Sequence, residues 1–143
     1  MDIRFITKQI HAYLDYPVAI VLMAAPFILG LGESLPLAKW LSFGTGVAAL
    51  FLTVLTDHQL GLIRLLPYWV HLAVDFLVGV VFLAAPFAFG FSGIDAMFYW
   101  VNAAGVLTVV SLHQPENKKV DPANELRSVA ANSFDQNSIP LKS

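Results

Sequence analysis

The 143-residue chain has no cysteine. That removes disulfides, thiolate metal sites and thiol redox chemistry at once. Charge is scarce, with 13% of residues Asp, Glu, Lys or Arg, about half of what a soluble domain carries. Neither sign dominates: the net charge is −2 and the eight basic residues are scattered, so no basic stripe exists to grip nucleic acid. Glycine-rich phosphate loops, nucleophile motifs and the paired carboxylates of a soluble cleft are also missing, and no enzymatic activity is expected. Any metal ion would have to bind through histidine and carboxylate.

Apolar residues are abundant, at 57% of the chain. Four runs contain no charged residue: Tyr16 to Gly32, Trp40 to Thr56, Phe76 to Ile94 and Ala96 to Leu112, each 17 to 19 residues long. A hydrocarbon core of about 30 Å needs roughly 20 helical residues, with about 17 the short limit. Each run therefore predicts one transmembrane helix. Their continuous apolarity is not the alternation of a barrel strand, and helix is the other way a lipid-embedded backbone can satisfy its own hydrogen bonds.

The first run, preceded by Lys8 and ending in Met23, Ala24 and Ala25, has the look of a secretory signal, but an internal repeat argues against cleavage. Residues 11–30 align without a gap on residues 71–90 at an offset of 60, with nine of twenty positions identical. A targeting segment has no reason to recur in mid-chain. Trp40 and Trp100 keep the same offset. The short links Glu33 to Lys39 and Ser92 to Asp95 join antiparallel neighbours. The fold expected is all-α: a polytopic membrane protein whose four-helix transmembrane bundle consists of two tandem parallel helical-hairpin repeats.

Repeat 1 covers residues 11–57 and repeat 2 residues 71–113, within a transmembrane domain of residues 11–113. Residues 1–10 precede it, and a polar tail of residues 114–143 follows. Asp121 and Pro122 suit the start of one short helix in that tail, which is otherwise expected to be disordered. Arg4, Lys8, Arg64, Lys118, Lys119, Arg127 and Lys142 fall on the side of the N-terminus, against Lys39 alone on the other. The positive-inside rule then puts both termini in the cytoplasm.

The polar residues inside the apolar runs are the candidates for chemistry. His11 with Asp15 and His71 with Asp75 are each four apart, a spacing that stacks both side chains on one helical face. A charged residue within a membrane helix is expensive, so it faces protein or water and has a partner. His58 and His113 close the second and fourth helices at the same membrane face. Imidazole and carboxylate are ligands for zinc, iron, manganese and nickel, and they also pass protons near neutral pH. His11, Asp15, His58, His71, Asp75 and His113 are thus candidate metal ligands at the cytoplasmic mouth of the bundle. In the alternative reading the same groups cap helix ends and lock the hairpins together.

Ala24-Ala25-Pro26-Phe27 with Gly30 recurs as Ala84-Ala85-Pro86-Phe87 with Gly90. Proline removes a helix hydrogen bond and clashes with the preceding turn, which predicts a bend at each site, with a helix end at each glycine. Ser42, Gly44, Gly46, Ala48, Ala103, Ala104 and Gly105 predict close helix contact. Asn102 is read as an interhelical hydrogen-bonding residue. Trp40, Tyr99 and Trp100 at one membrane boundary, with Tyr13, Tyr16, Tyr68 and Trp69 at the other, are read as aromatic belts.

These features together, the repeat, the proline followed by an aromatic, the glycine three residues later and the tryptophan opening the next helix, resemble the SPW-repeat membrane proteins of bacteria over roughly residues 11–113. The Ser-Pro-Trp signature stands here as Ala25-Pro26-Phe27 and Ala85-Pro86-Phe87. The resemblance implies two-helix repeats in the bacterial inner membrane and brings no established activity with it. Three functions are therefore expected to compete: a structural or interacting membrane protein without a cofactor, a transporter or channel working as a homo-oligomer, and a metal- or haem-binding component using His11, His58, His71 and His113. The lipid bilayer is the one partner implied by all three, and no protein partner is specified.

Overall fold

A computed structural model describes residues 5–57 and 60–113, together with residues 126, 127, 129, 130 and 133, which are helical. Asp121, Pro122 and His58 lie outside the described residues. Four helices follow one another: α1 (Lys8–Ile28), α2 (Pro36–Leu55), α3 (Tyr68–Phe89) and α4 (Gly93–Ser111). Each is long and apolar enough to cross a membrane. Among the described residues there are no strands, and the bundle is all-α.

Helices α1 and α3 begin about two turns ahead of the charge-free runs. The charges that ended those runs, Asp15 and Asp75, lie inside helices and face histidines. Thr7 opens α1 by accepting a hydrogen bond from the Ile10 amide at 3.3 Å, and Pro36 occupies the first turn of α2, where its missing N–H costs nothing. Pro26 and Pro86 fall in the last turns of α1 and α3. The chain turns away at Gly30 (φ 68°) and Gly90 (φ 70°), backbone conformations that glycine adopts without strain. At the first of these the Leu31 amide donates back to the Pro26 carbonyl at 2.8 Å. The second glycine also divides the apolar run from Phe76 to Ile94, so that Ile94 and Asp95 belong to α4 rather than to the loop.

Packing is closest within each hairpin, α1 on α2 and α3 on α4. Gly46 lets α2 approach α1 so nearly that an added Cβ would sit 2.8 Å from the Ala19 carbonyl oxygen. In the second hairpin the glycine has changed helices: Gly79 on α3 faces Leu107, which would lie 2.7 Å from an added Cβ. The aligned positions are Ala19 and Val106, so each contact pairs one small residue with one larger one. The Pro-Phe motif closes both hairpins in the same way. Phe27 meets Trp40 at 5.9 Å between ring centroids, and Phe87 meets Trp100 at 5.6 Å.

The two hairpins meet over an apolar core beside the α1–α2 and α3–α4 turns, where Leu22, Leu31, Phe82, Phe91, Phe98 and Tyr99 are buried together. Tyr99 is not a belt residue. It is fully buried, and its hydroxyl donates to the Ala38 carbonyl of the other hairpin at 2.8 Å. Tyr68 is buried as well, whereas Trp40, Tyr13 and Trp69 are exposed as a belt requires. At the opposite end of the bundle the Ile6 amide donates to the Leu112 carbonyl at 3.1 Å, so the start of α1 and the end of α4 lie on one side. Large apolar side chains such as Ile28, Phe51, Phe76, Phe87 and Val101 cover the outside, the surface of a multi-pass membrane protein in contact with lipid.

Candidate functional site

On the side where α1 starts and α4 ends, the bundle holds four polar side chains between the hairpins. His11 and His71 are each the fourth residue of their helix, and Asp15 and Asp75 follow one turn later. At 1.5 Å per residue this places the group about 5 to 10 Å beyond the helix starts. The i, i+4 spacing stacks each pair on the face its helix turns toward the other hairpin, and the pairs cross. His11 Nε2 is 3.3 Å from Asp15 Oδ1 and 2.9 Å from Asp75 Oδ2. His71 Nε2 is 3.2 Å from Asp15 Oδ2 and 3.2 Å from Asp75 Oδ2. Each imidazole faces both carboxylates, and one ligand atom from each of the four residues lies within 4.8 Å of all the others. Both imidazoles are buried, while Asp15 and Asp75 keep 13% and 19% of their side chains exposed.

The tautomer of His71 follows from its neighbour. Thr56 Oγ1 has one proton, and it is donated to the Leu52 carbonyl at 2.6 Å. The 2.9 Å contact between Thr56 Oγ1 and His71 Nδ1 must therefore be a hydrogen bond from Nδ1–H to the hydroxyl oxygen. A neutral His71 then turns the lone pair of Nε2 toward two carboxylate oxygens, three mutually repelling centres, unless a cation stands among them. A second proton on the ring or a metal ion meets that need. His11 Nδ1, on the far side of its ring, is buried and has no hydrogen-bond partner among the described residues.

The distances suit a metal. Zinc with nitrogen and oxygen ligands at about 2.0 to 2.2 Å puts ligand atoms roughly 3.3 to 3.5 Å apart in a tetrahedron. Each nitrogen–oxygen contact, at 2.9 to 3.3 Å, is close to that span. One ligand atom from each residue lies within 4.8 Å of the rest, so the quartet would have to contract only slightly around an ion. Two aspartates and two neutral imidazoles carry two negative charges, which a dication balances.

The six candidate ligands do not all belong to one centre. His113 packs its ring on His11 at 5.6 Å between centroids, and its Nδ1 lies 3.3 Å from the Tyr68 hydroxyl, so it borders the quartet from outside. His58 is outside the described residues. Asp57 pairs with Arg64 at 3.7 Å on the surface. Among the described residues Asn102 makes no bond between helices: its Nδ2 donates to the Phe98 carbonyl of its own helix at 2.8 Å, and the residue faces a partly open cavity between the hairpins.

Two features of the seam escaped the sequence reading. The first is this cavity of about 410 Å³, lined by all four helices, which runs from the quartet toward the apolar core. The second is Asp95, fully buried at the start of α4. It accepts hydrogen bonds from the Gly32 amide at 2.8 Å, the Ser34 amide at 2.9 Å and the Ser34 hydroxyl. The aligned position in the first repeat is Leu35, so the repeat gave no signal; an aspartate three residues after Ser92, in a first helical turn, was the available one.

No curated protein and no solved structure matches the chain. The family model for the SPW repeat domain matches residues 9–113, which takes in all four helices and the histidine–aspartate quartet, and the chain belongs to the SPW repeat family.

Proposed function

We propose that this protein is a metal-binding protein of the bacterial inner membrane, in which His11, Asp15, His71 and Asp75 hold one divalent first-row ion between the two hairpins. The observation that carries the reading is the position of His71 Nε2, 3.2 Å from one carboxylate oxygen of each aspartate, on a ring whose Nδ1 is held by Thr56. Thr56 fills the role of the outer partner that orients metal-binding histidines. Mixed nitrogen and oxygen ligands suit zinc, iron or manganese, and a four-residue donor set matches the coordination number of zinc. The compactness of the quartet favours a bare ion over haem, because a porphyrin between His11 and His71 would have to displace both carboxylates.

Positive residues beside the starts of α1 and α3 support an orientation with this end at the cytoplasm and both termini inside. The protein binds the ion without turning over a substrate. Its structural consequence is a clasp that ties the two hairpins together at this end, beside the Thr56–His71 hydrogen bond and the packing of His11 on Tyr68 and His113.

The test is metal analysis and calorimetric titration with Zn²⁺ of protein purified in detergent and stripped with a chelator. One ion per chain is expected, lost in His71→Gln and in Asp75→Asn and retained in His113→Gln. Wild-type protein that takes up no stoichiometric metal would reduce the quartet to a proton-held lock between hairpins.

A further inference from the structure

The cavity between the hairpins has a composition that the metal reading leaves unused. Its volume of about 410 Å³ lies within the range of small-molecule sites. Most of its wall is aliphatic, with Val18, Leu22, Leu52, Val78, Val106 and Val109 among the lining residues. The cavity is partly open toward the lipid-facing surface, where Leu14 and Val101 are exposed, so a molecule dissolved in the bilayer can enter it, and leaving it unfilled costs its lining the dispersion contacts of a packed core.

Its size is maintained by residues that packing does not require to be small. Gly46 and Gly79 are needed for close helix approach, since an added Cβ at either would collide. Gly105, by contrast, lines the cavity, and an added Cβ there would meet nothing within 4 Å. Ala48 and Ala49 line it from the other hairpin.

The polar groups at its edge are oriented. Thr53 spends its proton on the Ala49 carbonyl at 2.8 Å, and Asn102 turns its amide nitrogen to the Phe98 carbonyl at 2.8 Å. All four residues of the quartet border the cavity. The two imidazoles are almost fully buried while the carboxylates keep 13% and 19% of their side chains exposed, so most of what the quartet shows is carboxylate. Asp75 Oδ2 faces both imidazoles, which leaves Oδ1 as an acceptor. Asn102 keeps its carbonyl oxygen and one N–H, but the carboxylates and the Thr53 hydroxyl oxygen only accept, and this favours a head that donates over one that only accepts.

We infer that the cavity between the hairpins binds a lipid-soluble amphiphile with a hydrogen-bond-donating head, an alkyl amine or alcohol, whose head meets Asp75 and Asn102 while its tail lies among the valines and leucines. The inference does not depend on a metal ion in the quartet.

The experiment follows thermal unfolding of the full chain in phosphatidylcholine nanodiscs, with chelator present, as decylamine, decanol, methyl decanoate or decane is added. Decylamine and decanol should each give a saturable rise, roughly 5 °C at about ten times the half-saturating concentration. Methyl decanoate and decane should give none. Gly105→Leu and Ala48→Leu, which fill the chamber without touching the quartet, should weaken the response to decylamine at least tenfold while keeping the zinc stoichiometry of the wild type. Equal responses to all four probes, or an undiminished response in both filled variants, would overturn the site. Because chelator is present throughout, a failure of zinc binding leaves this result unaffected.

Discussion

The seam between the two hairpins is polar at both ends, and the ends are built on opposite principles. At the turn end Asp95 is fully buried and meets two backbone amides and a hydroxyl, all neutral donors from the other hairpin. At the terminal end two carboxylates face two imidazoles, and His71 Nε2 is pinned with its lone pair toward oxygen unless a cation intervenes. A buried carboxylate with a complete set of fixed donors is a structural device. A buried group of acceptors that becomes favourable only around a cation is a binding device. The first holds the hairpins whatever the solution contains, and the second makes their union depend on what is bound.

The comparison is broken most severely at Asp95. Asp95→Ala strands the Gly32 and Ser34 amides beside the apolar core and should cost about 3 kcal/mol or more. Asp95→Asn, which keeps one accepting oxygen, should cost about half as much. Reversible unfolding in mixed detergent and SDS measures both. A loss below about 1 kcal/mol for the alanine variant would mean that the turn end is not the fixed lock. The same measurement sharpens the other end. Zinc at about one hundred times its dissociation constant should add roughly 2.7 kcal/mol to the wild type. It should add nothing to His71→Gln, and the full increment to Asp95→Asn. An equal zinc increment in His71→Gln would place the ion elsewhere.

The sequence made the polar cluster of the terminal end half legible and the buried aspartate of the turn end not at all. Four charge-free runs gave the number of helices because the cost of a charge in lipid is local and shows in composition. The offset of 60 paired His11 with His71 and Asp15 with Asp75, since an exact repeat must place equivalent residues at equal depth. Depth is not convergence, however. Whether both helical faces turn inward depends on how the hairpins pack, and His113, equally deep, stands outside the quartet. Asp95 was hidden because its partners are backbone amides 61 and 63 residues away, which side-chain patterns do not encode. Tyr99 was misread for a related reason: an aromatic at a membrane boundary can face lipid or the other hairpin, and its neighbours in sequence look the same in both cases. The small residues were read as one class although the structure divides them.

That division supplies the finest test, between the buried Gly46 of α2 and the exposed Gly105 of α4. Gly46 is a contact glycine, and its added Cβ meets the Ala19 carbonyl oxygen at 2.8 Å, so Gly46→Ala must push α2 off α1. A cost of about 2 kcal/mol is expected, in the range of overpacked cores. Gly105 is a cavity glycine with open space where its Cβ would be. Gly105→Ala relieves the entropic penalty of glycine in a helix without a steric one, and should stabilise the protein by up to about 1 kcal/mol. Opposite signs from the same substitution would separate the helix contact from the chamber. A loss at Gly105 as large as at Gly46 would mean that the hairpins close on one another in the bilayer, and that the chamber does not persist there.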